Sequence, residues 1–218
     1  MFGRLLKSLG GGGAAETEGA PSPLGVVIGQ PFFIDPLAVR LLGADSRLIL
    51  PETSMIVAAR GLVDLGDGSF VHRYYSEDNT MVQALTNGGH AAEHIAEVTL
   101  YRPLQSYYPN ESDRAAWSQW EAKLKSARLA LEDGTSYERV WFAETRGPAD
   151  PVVFSEAVRD SEDEPPARRV DQRAMLFSRV LASGKPEFLL AAIETIPTGR
   201  SVELMVGMDL DRASLSTS

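Results

Sequence analysis

Two apolar-rich runs flank Gly66-Asp67-Gly68, Leu62-Val-Asp-Leu65 before it and Phe70-Val-His-Arg-Tyr-Tyr75 after it. These runs are rich in β-branched and aromatic residues, and a glycine-permitted reversal joins them, which predicts a β-hairpin over residues 54 to 64 and 69 to 76. Met81 to Thr86 reads as a third strand, Asn87-Gly88-Gly89 breaks it, and a fourth follows near Glu97 to Tyr101. The result is an antiparallel meander. From Ser112 to Lys125 the period changes: Ala116, Trp117, Trp120 and Leu124 share one helical stripe, with Ser112 or Asp113 as cap. Hairpin patterning then returns in Arg128 to Glu132, the Asp133-Gly134 turn and Tyr137 to Phe142. Pro151 to Val158, Ala174 to Leu181, Phe188 to Ile196 and Ser201 to Met208 are further apolar runs. Leu189, Ala192, Ile193 and Ile196 also fit a helical face, but the run is short and lies between two reversals, so a strand is expected. Upstream, Gly25 to Ile28 and Arg47 to Leu50 predict brief strands, and Asp35-Pro36 opens a short helix with Leu37, Ala38, Leu41 and Leu42 on its apolar face.

These elements predict an α+β fold: mainly antiparallel β-sheet, in two β-rich halves, with a few short helices packed on it. The expected organisation is a flexible segment over residues 1–22 and one domain over 23–218, divisible into subdomains at 23–109 and 126–218 that the tryptophan-bearing helix joins.

Composition narrows the function classes. The chain has 218 residues, is 44% hydrophobic and 23% charged, and carries a net charge of -9. That size supports a buried core, and that charge repels nucleic-acid phosphates. Cysteine is absent, which removes thiol nucleophiles and thiolate metal ligands. No apolar run approaches the roughly 20 residues that span a bilayer, and no secretory signal is evident. A cytoplasmic location is therefore expected. Phe2, Leu5, Leu6 and Leu9 recur at helical spacing with Arg4 and Lys7 between them, a pattern that suits peripheral docking at the inner membrane or on a partner.

Two clusters are candidates for chemistry. His90 and His94 stand four apart, which would aim both imidazoles at one metal if the segment were helical. Asp64, His72, Arg73 and Tyr75 lie on the hairpin and could line a ligand pocket at its mouth. Alternation, however, puts His72 with Tyr74 on one face and Arg73 with Tyr75 on the other. Phosphate-loop, dinucleotide and nucleophile-elbow signatures are missing, so no cofactor is expected.

Several stretches together resemble the YjfK-like proteins, a bacterial family of unknown function. They include Asp35-Pro-Leu-Ala38, Leu62-Val-Asp-Leu-Gly66, His72-Arg-Tyr-Tyr75, Tyr137-Glu-Arg-Val-Trp141, Pro151-Val-Val-Phe-Ser-Glu156, Glu187-Phe-Leu-Leu190 and Val206-Gly-Met-Asp-Leu210. The resemblance implies a soluble protein associated with a bacterial membrane-stress system, with a phage-shock-type protein as partner. The function expected from the sequence is thus a non-enzymatic binding or adaptor protein. The alternative is a metal- or small-ligand-binding hydrolase using His90, His94 and the hairpin acids.

Overall fold

The computed structural model describes residues 21–50 and 55–217. Its strands are β1 (Pro31–Ile34), β2 (Met55–Gly66), β3 (Ser69–Ser76), β4 (Met81–Asn87), β5 (Ile95–Tyr107), β6 (Arg128–Ala130), β7 (Ser136–Arg139), β8 (Val152–Arg159), β9 (Arg168–Val180), β10 (Pro186–Ile196), β11 (Gly199–Asp209) and β12 (Leu215–Thr217). The helices are α1 (Pro36–Arg40) and α2 (Arg114–Lys125).

Eight strands close into a barrel in the order β2-β3-β4-β5-β11-β10-β9-β8, and β8 pairs back onto β2. Every ladder of the ring is antiparallel. This overturns the α+β expectation of helices packed on a sheet in two halves. The fold is a nearly all-β barrel, and the two short α-helices among the described residues, of 5 and 12 residues, lie outside the ring. Alternation reports that one face of a strand is buried without saying what covers it. Here the two halves cover each other by closing, through the β5–β11 and β2–β8 ladders. Gly25 to Ile28 and Arg47 to Leu50 are not strands, and the upstream strand is β1. The strand expected over Tyr137 to Phe142 ends at Arg139; the Val140 amide still donates to the Leu176 carbonyl of β9 at 2.8 Å, and the chain then turns at Phe142 with φ 60°.

Cross-strand partners share a face, so the register sorts lumen from wall. Ala59, Gly61 and Val63 of β2 stand opposite Tyr75, Arg73 and Val71 of β3, and all face the lumen. Met81, Tyr101, Leu176 and Leu190 fill the interior beside them. The outer wall of β3, β4, β5 and β11 is covered by the segment before β2, with Val26, Phe32, Ile34, Leu42 and Leu48 packed over Tyr74, Val82, Leu100 and Val206. Helix α2 covers another stretch of wall: Asp113 caps its Ala116 amide at 3.0 Å, and Trp117, Trp120 and Leu124 bury against Met175, Phe177 and Leu189. Glu187 clamps these layers. It is fully buried and accepts from Ser46 Oγ at 2.7 Å, the Arg47 amide at 2.6 Å, the Tyr137 hydroxyl at 2.8 Å and Arg179 Nε at 2.8 Å.

Candidate functional site

The lumen is not wholly apolar. Arg73, only 4% exposed, reaches across the barrel and donates to Glu156 Oε2 of β8 at 2.6 Å, Gln172 Oε1 of β9 at 3.0 Å and Gln83 Oε1 of β4 at 3.1 Å. The Tyr75 hydroxyl donates to Glu156 Oε1 at 2.7 Å, and Gln172 Nε2 donates to Glu156 Oε2 at 3.0 Å and Glu194 Oε1 of β10 at 3.1 Å. Five strands thus contribute one polar network. Burial alone would lower the Arg73 pKa, but Glu156 and Tyr75 more than offset it and hold the guanidinium charged.

Gly61 makes room for this network. A Cβ there would lie 1.7 Å from Glu156 Oε1, so only glycine leaves the carboxylate its place. Gly207 does the same for the Tyr101 ring, which a Cβ would approach to 2.4 Å.

One side of the network is open. At the barrel end formed by the β3–β4 turn, the β8–β9 loop and the end of β10, a cavity of about 350 Å³ is lined by Tyr75, Glu77, Glu156, Asp160, Arg168, Gln172 and Glu194, among others. Its four carboxylates face one lining guanidinium, Arg168, which Asp160 holds at 2.8 Å. With Glu156 committed to Arg73, Glu194 at the floor is bonded to the Gln172 amide, and the Arg73 and Arg168 charges do not outweigh its burial and the Glu156 charge. Burial and then the Glu156 charge push its pKa up to about 7. The cavity can therefore accept hydrogen bonds, exchange a proton near neutrality and hold positive charge.

The hairpin candidates divide as alternation requires. Arg73 and Tyr75 are in the lumen at this site, whereas His72 is on the outer wall, 3% exposed, and Asp64 is exposed, binding the Gly66 amide at 2.8 Å within its own turn. His72 Nε2 lies 3.3 Å from His90 Nδ1, and the His90 ring stacks on Phe70 with centroids 3.8 Å apart. His94 ends a 3-10 turn at Ala92–His94 and is closely overlain by the Gly88–Gly89 backbone. The segment from His90 to His94 forms no α-helix, and among the described residues no group of three or more His, Asp or Glu is placed to hold a metal. Phe2, Leu5, Leu6 and Leu9 lie outside the described residues. Sequence reasoning missed Glu156, Gln172 and Glu194. The available signal was a polar residue at a lumen-facing position of an otherwise apolar strand, which becomes legible only when the register is known.

The class these features define is a closed antiparallel β-barrel with a charged network in its lumen. The chain belongs to the family described as "Protein of unknown function (DUF2491)", whose model matches residues 1–216. It is also similar to "Uncharacterized protein YjfK" of Escherichia coli (strain K12), at 31% identity over 142 residues, 65% of this chain. The match spans 64% of that relative's length. No solved structure matches. Neither comparison carries anything of membrane stress, so the association that the resemblance implied has no support from them. Among the described residues, no helix is long and apolar enough to cross a membrane.

Proposed function

We propose that this barrel binds a small polar molecule carrying a protonated amine, which enters the acidic mouth and pairs with Glu194. The observation that carries this reading is a cavity of about 350 Å³ whose floor is the Glu156–Gln172–Glu194 network, in which Glu194 is bonded to the Gln172 amide while Glu156 takes the Arg73 guanidinium. Barrel mouths are common ligand sites, and this volume lies at the small end of the range for ligand pockets, roughly 300–1,000 Å³. An ammonium beside Glu194 would replace the proton that burial now favours there. The Tyr75 hydroxyl and Gln172 amide are already oriented by Glu156 and need no rearrangement to frame the ligand. Binding of this kind is non-enzymatic, and it needs neither the membrane-stress partner nor a hydrolytic centre.

Thermal unfolding of the full chain with 1,4-diaminobutane, 2-aminoethanol and the uncharged 1,4-butanediol tests this reading. A rise in melting temperature with an amine, absent with the diol and absent in Glu194→Gln, supports it. Equal response to the diol, or an undiminished response in Glu194→Gln, refutes it.

A further inference from the structure

At the opposite end of the barrel from the acidic mouth, the β4–β5 connection carries His90 over the outer wall onto His72 of β3. This pair is independent of the lumen network. We propose that His72 and His90 form a two-histidine site for a divalent transition metal of the zinc, nickel or copper type, with His72 Nε2 and His90 Nδ1 as ligands.

The two ring nitrogens stand at hydrogen-bond distance, and the same separation accommodates chelation. At the usual Zn–N distance of about 2.0–2.1 Å, nitrogens 3.3 Å apart subtend about 104–111° at the metal, which is close to tetrahedral. Two imidazoles aimed at that common point would have ring centroids about 5.1–5.2 Å apart. The observed separation is 5.2 Å.

The surroundings suit a ligand pair. Phe70 holds the His90 ring by stacking. On the same face, one register position away, the buried Thr86 hydroxyl has no hydrogen-bond partner among the described residues. Asp64 stands opposite Phe70 and contributes a carboxylate field to His90. The protein offers two nitrogen ligands, and water completes the coordination.

Titration of the full chain with Co(II), read by its d–d absorption, tests the site. Wild type is expected to take up one equivalent saturably with tetrahedral-type absorption, and Zn(II) to displace it. His90→Ala, at a half-exposed position, should weaken binding at least about tenfold, as loss of one of two ligands requires. His90→Gln, which keeps a side chain over Phe70, should lose binding equally, so that a packing defect is separated from ligand loss. His94→Ala should bind as wild type does. Absence of saturable uptake in wild type, undiminished binding in both His90 variants, or equal loss in His94→Ala overturns the proposal.

Discussion

Gly61→Ala adds one methyl group to a strand, a change that ordinarily gains about 0.5–1 kcal/mol because glycine loses more backbone freedom on folding. At this position the sign should reverse. The new Cβ would meet Glu156 Oε1 at 1.7 Å and Cδ at 2.7 Å, so the carboxylate must leave. Its departure strips Arg73 of its 2.6 Å partner, and at 4% exposure the guanidinium has little access to water. Removing one member of a buried ion pair costs about 3–5 kcal/mol, and that is the expected loss for Gly61→Ala. The assay is urea unfolding of wild type, Gly61→Ala, Glu156→Ala and the double variant. In the Glu156→Ala background the methyl group has space, so Gly61→Ala should cost little there, giving a coupling between the sites about equal to its whole cost in wild type, about 3–5 kcal/mol. A neutral or stabilising Gly61→Ala in the wild-type background would refute the reasoning.

Other outcomes follow from the same contacts. The folded-state pKa of His72 is lowered from 6.5 to about 4, so the folded state binds fewer protons between these values. Its contribution is present above pH 6.5 and is lost as the pH falls towards 4, so His72→Gln should gain up to about 3 kcal/mol relative to wild type across that window, as read by unfolding at each pH. Glu187→Ala leaves Arg179, Tyr137 and the Arg47 amide without their common acceptor and should cost about 3 kcal/mol or more in chemical denaturation, with loss of docking of the 43–50 segment visible by hydrogen exchange.

Local structure was legible in the sequence where its signal is local. The Gly66-Asp67-Gly68 hairpin, with all three residues at positive φ, follows directly from turn chemistry, and α2 follows from the tryptophan stripe and the Asp113 cap. Alternation also separated Arg73 and Tyr75 from His72 correctly. What stayed hidden is non-local. No residue of β5 announces that it will pair with β11, nor any of β8 that it will pair with β2, and these ladders convert a meander into a barrel. The candidate site inherits that limit. Glu156 and Glu194 lie 38 residues apart and read as solvent-facing acids until closure turns them inward to share Gln172. Gly61 is a further case, since its lack of a side chain has meaning only once Glu156 stands opposite.

The most direct test of the central claim, that Glu194 at the barrel mouth receives a cationic ligand, is calorimetric titration of wild type with 1,4-diaminobutane at pH 6, 7 and 8. Because Glu194 loses its proton near pH 7 and must be ionised to pair with an ammonium, affinity should rise about tenfold from pH 6 to pH 8, with proton release on binding that is greatest at pH 6. An affinity independent of pH, or the same pH dependence in Glu194→Gln, would contradict it.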